Sequence, residues 1–132
     1  MRTDFLLVAD AAQVADGKLY LLGGAWNRIA LPQFPMAAPL AVAVGLMVGW
    51  EETNQDHVAR LTIDDEDGAL VLGPIEMRFE VGRPAGTKPG EDQRVVMAVN
   101  GQVGFQKPGG YAVVVRLGED ELARTSFRVA AQ

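Results

Sequence analysis

Hydrophobic and polar positions alternate along most of the chain with a period of two, which is the spacing of strands and not of helices. From Met36 to Trp50 the alternation places Leu40, Val42, Val44, Leu46, Val48 and Trp50 on one face, with Ala41, Ala43, Gly45, Met47 and Gly49 on the other. Tyr111, Val113, Val115 and Leu117 oppose Ala112, Val114 and Arg116 in the same way. A helix through either stretch would carry interior glycines or a run of valines at a cost in free energy, whereas β-branched side chains suit a pleated surface. Shorter stretches of the same kind cover Phe5–Ala11, Lys18–Gly23, Val58–Asp64, Ala69–Leu72, Ile75–Val81, Gln93–Val99 and Leu122–Val129. Only Asp10 to Val14 is compatible with a helical turn.

Turn chemistry separates these stretches. Asp16-Gly17 and Asp67-Gly68 read as hairpin turns of the primed type, and Gly118 to Glu121 as a further turn. Gly82 to Gly90 is a loop, and Asn100 to Gly110 a connection. Short strands with turn signals at about every 8 to 12 residues predict an all-β, antiparallel, immunoglobulin-like (Greek-key) β-sandwich of about 7–9 strands. A single domain over residues 1–132 suits a chain of this length. The run Lys107-Pro108-Gly109-Gly110-Tyr111-Ala112-Val113 resembles the tyrosine corner of immunoglobulin-like domains, in which the hydroxyl bonds back to the upstream connection. Val113 stands where antibody domains carry a cysteine.

Two further stretches carry a narrower resemblance. Phe5 to Val14 followed by Asp16-Gly17-Lys18-Leu19-Tyr20-Leu21-Leu22-Gly23-Gly24-Ala25-Trp26-Asn27-Arg28-Ile29 resembles the opening of a family of small bacterial proteins of unknown function. The family closes with a Pro-Gly-x-Tyr strand and a last strand similar to Glu121–Val129. The resemblance implies the sandwich fold and carries over no catalytic residue.

Composition narrows the function classes. A net charge of −5 puts a nucleic-acid or anionic-membrane surface at a disadvantage, and 48% hydrophobic against 22% charged residues supports a packed core. The absence of cysteine removes disulfides, thiolate metal sites and a cysteine nucleophile. The N-terminal apolar run is shorter than a signal-peptide core, and Pro32, Pro35 and Pro39 interrupt the uncharged stretch Ile29–Trp50. A cytoplasmic, non-membrane protein without a cofactor is the expectation.

Catalytic side chains are scarce. The one histidine, His57, opens a strand, and the one serine, Ser126, sits on the outward face of the last strand outside any nucleophile motif. Asp65 and Asp67, in the acidic tip Asp64–Asp67, are weak divalent-metal candidates because their spacing fails the EF-hand pattern. Trp50 continues an inward alternation and is read as core. Trp26, with Asn27 and Arg28 beside it, and Lys88 in the glycine-rich loop are the candidate ligand or partner contacts.

These features predict a non-catalytic binding or assembly module. The rivals are a carbohydrate- or small-ligand-binding module centred on Trp26, and a small metal-dependent hydrolase built from carboxylates. Self-association is expected from the second face of the long strand, where polar residues belong in a two-layer sandwich. Ala41, Ala43 and Met47 stand there instead, with Ala112 and Val114 on the second strand. Were those two strands neighbours, the residues would merge into an apolar patch fit for a homodimer, or for an unidentified protein partner. The competing reading is that Gly82–Gly90 or Ala30–Ala38 of the same chain covers the patch.

Overall fold

A computed structural model describes all residues, Met1–Gln132. Nine strands follow one another: β1 (Arg2–Ala15), β2 (Lys18–Gly24), β3 (Arg28–Leu31), β4 (Met36–Val48), β5 (Asp56–Asp65), β6 (Leu70–Glu80), β7 (Gln93–Phe105), β8 (Gly109–Leu117) and β9 (Asp120–Ala131). They form a four-stranded sheet in the order β2-β1-β4-β7 and a five-stranded sheet in the order β3-β9-β8-β5-β6. The fold is an all-β, two-sheet, sandwich-like arrangement. It is not wholly antiparallel, because β3 runs parallel to β9 through the register pairs Arg28↔Arg128 to Leu31↔Ala131. No helix is long and apolar enough to cross a membrane.

The core lies between the sheets and is built from the alternating rows read in the sequence. Leu40, Val42, Val44, Leu46, Val113, Val115, Phe127 and Val129 are all buried in one cluster with Leu61 and Ile63. At one end Tyr111 stacks on Phe127 with centroids 5.8 Å apart and meets the edge of Phe105 at 5.0 Å. Its hydroxyl donates to the Lys107 carbonyl, four residues upstream, which is the corner geometry expected of this tyrosine. The Tyr111→Phe substitution is therefore expected to cost on the order of 1 kcal/mol in a urea melt. Burial pushes the pKa of Tyr111 above its ordinary value of 10.0, and the Asp65 and Glu66 carboxylates push the same way. A raised folded-state pKa means that this contribution is complete below about pH 10 and is lost as the pH climbs through the folded value. Tyr111→Phe should remove that alkaline component of the stability profile. Equal stability of the two chains in the urea melt below about pH 10 would mean that Tyr111 only packs.

Several local readings are corrected by tertiary pairing. Asp10 to Val14 is strand, because Ala11 to Val14 pair with β2. Asn100 to Phe105 continues β7, since β4 supplies a partner for each residue down to Met36↔Phe105. Val103 and Phe105, read as part of a connection, are consequently core residues. The two stretches around Gly73-Pro74 are one strand, β6, with register shifts opposite them between Leu61 and Asp64. The Asp16-Gly17 turn has both φ angles positive, as a primed turn requires. At Asp67-Gly68 only the glycine does. The Asp65 carboxylate accepts the Asp67 and Ala69 N–H groups there, and this local capping selects a different turn. Trp50 is half-buried in a short 3-10 turn, Trp50–Glu52, because the alternation of β4 stops at Val48.

The largest correction concerns the second face of β4. Ala41 and Ala43 are fully buried. After pairing Ala9 with Ala41, β1 leaves β4 and crosses over its outer side, carrying β2 with it. Ala9, Ala12, Ala41 and Ala43 form a second small core, closed by Phe5, Leu19 and Ala98. Asn100 of β7 fixes the crossing: its Oδ1 accepts the Ala12 N–H at 3.0 Å and its Nδ2 donates to the Ala12 carbonyl at 2.7 Å. Small side chains are needed because two layers of backbone approach each other here, and a Cβ at Gly45 would collide with the Phe5 ring. The cover is neither Gly82–Gly90 nor Ala30–Ala38. Ala112 and Val114 belong to the other sheet, so they share no patch with Ala41, Ala43 and half-buried Met47.

Candidate functional site

The outer face of the five-stranded sheet carries the most developed concavity of the chain. Alternation places Gly110, Ala112, Val114 and Arg116 of β8 outward, between Arg124, Ser126 and Arg128 of β9 and Asp64 and Thr62 of β5. Ala112 is the partner of both Ser126 and Asp64, so the small methyl forms a floor between a hydroxyl and a carboxylate. The groove has a volume of about 630 Å³, and its hydrophobic lining is limited to Tyr111, Ala112 and Phe127. Asn27, Asp65 and Glu66 close its end.

Charge is divided across the groove. On the β5 side, Arg116 donates to Thr62 Oγ1 at 3.2 Å and lies 3.9 Å from Asp64, while Glu66 accepts the Gly110 N–H at 3.3 Å. On the β9 side, Glu121 engages Arg124 through two hydrogen bonds, 2.8 and 3.4 Å, and this guanidinium holds the Glu121 carboxyl below its ordinary pKa. Arg128 has no carboxylate partner. Neither has Arg28, its register partner on β3, and both side chains are exposed. Like charges side by side on one sheet face repel, so an anion between them lowers the free energy of the pair.

The residues singled out in the sequence are only partly brought together. Asn27 lines the groove, and its carbonyl accepts the Arg128 N–H at 2.8 Å. Arg28 stands beside Arg128. Trp26 turns edge-on to Phe127 at 5.8 Å and packs against the core, with its indole nitrogen buried and unpartnered. Lys88 is exposed on the loop leading into β7, at the opposite end of the sandwich, where its N–H donates to Glu91. Asp65 is occupied in capping its own turn, and Asp67 lies 3.3 Å from Lys107. His57 Nε2 is 2.7 Å from the Glu52 carbonyl and its ring lies on Phe79 at 5.3 Å. His57 and Asp64 are seven positions apart on β5, roughly 23 Å of strand, so the histidine and Ser126 are at different ends of the sheet. Arg128 was missed by the sequence reading. Its only local signal is the outward row Arg124, Ser126, Arg128; its pairing with Arg28 requires knowledge of the parallel register.

At the end of the sandwich opposite Trp26, the Arg83 guanidinium lies 3.6 Å from the centroid of the Trp50 ring and donates to the Trp50 carbonyl and Thr53 Oγ1, each at 2.7 Å. These contacts tie the 82–90 loop to the turn after β4.

An all-β sandwich with a polar, charge-divided groove on one sheet face defines the class of molecule. The chain belongs to a family of unknown function, DUF6941, whose model matches residues 4–130. No curated protein matches the chain.

Proposed function

We propose that the protein is a non-catalytic binding module that recognises carboxylate-bearing segments of a protein partner through the groove on the five-stranded sheet. The observation that carries this reading is the side-by-side pair of exposed, carboxylate-free guanidiniums, Arg28 and Arg128, at the rim of a groove whose other wall is acidic. Paired guanidiniums match carboxylates by bidentate hydrogen bonding, and the opposite wall selects for the polarity of the segment. The shallow, polar lining suits a peptide backbone better than an apolar small molecule. We read the sandwich as immunoglobulin-like. In support, β1-β4-β7 follow the A-B-E order and β9-β8-β5-β6 the G-F-C-C′ order, with Tyr111 at the corner position.

The test is an amide NMR titration of the full chain with a capped hexaglutamate peptide and, in parallel, hexalysine. The glutamate peptide should shift the signals of Asn27, Arg28, Gly110, Ser126 and Arg128, with weak affinity no poorer than about 1 mM. The Arg28→Glu/Arg128→Glu variant should lose those shifts. Shifts that are absent, that map elsewhere, or that persist in the variant would overturn the proposal.

A further inference from the structure

The acidic end of the groove holds two carboxylates that form no ion pair. Asp64 lies beside Arg116, and Asp67 holds the Lys107 ammonium at 3.3 Å. Asp65 spends Oδ1 on the Asp67 and Ala69 N–H groups, and Glu66 spends Oε2 on the Gly110 N–H, so the donors to both are neutral amides. Glu66 lies over β8 because Gly109 and Gly110 have no side chains; a Cβ at either would come within 2.8 or 3.1 Å of its oxygens. Gly110 is also the register partner of Arg128, which pairs in turn with Arg28. One row across the strands therefore carries two guanidiniums, a glycine gap and a carboxylate, at about 4.8 Å per step. Arg128 and Glu66 stand on either side of the gap without forming an ion pair. Together with burial, Asp65 and Glu66 raise the Tyr111 pKa, so their potential extends into the groove lining.

We propose that the segment bound in the groove is dipolar, with an acidic residue at Arg28 and Arg128 and a cationic residue two positions away at Asp65 and Glu66. This rests on the peptide reading of the groove and narrows it to one class of segment. Charge of both signs selects the occupant. On an extended chain, residues i and i+2 share a face about 6.6 Å apart, and the length of a lysine side chain covers the remaining step to Glu66. A purely acidic segment would satisfy the arginines but press a like charge against Asp65 and Glu66. A purely basic one would do the reverse.

Amide NMR titration of the full chain with two capped pentapeptides, Thr-Glu-Thr-Lys-Thr and Thr-Glu-Thr-Gln-Thr, tests the dipolar class, because the two differ only in the cation. The lysine peptide should bind about fivefold more tightly, as one added ion pair allows. It should also move the signals of Asp65, Glu66 and Gly109, which the glutamine peptide leaves in place. Asp65→Asn/Glu66→Gln keeps the hydrogen-bond acceptors and removes both charges, so the preference should vanish while the glutamine peptide still binds. Unchanged signals of Val113 to Val115 verify that this variant is folded. Arg28→Glu/Arg128→Glu should weaken the binding of both peptides. Equal binding of the two peptides by the unmodified chain, or a preference that survives Asp65→Asn/Glu66→Gln, overturns the dipolar class and leaves the carboxylate reading standing. Binding of neither peptide overturns both.

Discussion

Val113→Asp is expected to leave the chain without a cooperative folding transition. Val113 has no exposed surface and sits in the middle of β8, paired with Ile63 on one side and Thr125 on the other. Its side chain belongs to the apolar cluster that joins the two sheets. An unpaired carboxylate in such surroundings costs several kcal/mol even after it takes up a proton, and the lost apolar burial adds about 1.5 kcal/mol or more. That sum is comparable with the whole stability of a typical domain, about 5–15 kcal/mol. Val113→Ala separates the two contributions. It should keep the fold and lower the urea midpoint by the equivalent of about 2 kcal/mol, as truncation of one buried valine does. A Val113→Asp chain that melts cooperatively at the midpoint of the unmodified protein would mean that residue 113 does not face the core.

What the sequence made legible is what strand alternation encodes directly. The inward rows of β4 and β8, the corner at Tyr111 and the turn at Asp16-Gly17 all follow from residues close together in the chain. Asn100-Gly101-Gln102-Val103-Gly104-Phe105 misleads because its glycines imitate a turn, while in-register pairing with β4 keeps it extended. The groove was legible only in fragments. Asn27 and Arg28 carried the signal of polar residues beside an aromatic, but the residue that completes them, Arg128, is a hundred positions away and meets them through the one parallel pairing in the fold. Trp26 drew attention for its size. Its position against Phe127 makes it part of the support beneath the groove's end rather than of its lining. The burial of Ala41 and Ala43 was written in the sequence in a different form, as small residues recurring at Ala9, Ala12 and Ala98 in two other segments. No local pattern states that those segments stack.

Ala43→Glu is expected to destabilise the protein by about 3 kcal/mol, beginning with the β1–β2 hairpin, and not to act as a surface substitution. Ala43 is fully buried, its register partners are Leu7 on β1 and Ala98 on β7, and Ala12 packs in the same small cluster. A glutamate there must either bury its charge or push the crossing hairpin away. The hairpin is the easier part to move, because past Ala9 it is joined to the sheet by the small alanine cluster and the two Asn100 hydrogen bonds. Asn100→Ala weakens the same attachment from the other side and should cost about 1–2 kcal/mol, water replacing part of what is lost. Hydrogen exchange distinguishes these effects from global unfolding. In both variants the amides of Leu19 to Leu22 should lose protection, while those of Val113 to Val115 keep theirs until the chain as a whole unfolds. Unchanged exchange in the hairpin of Ala43→Glu would mean that the second face of β4 is open to solvent, and that the crossing over Ala41 and Ala43 is not the state of the protein in solution.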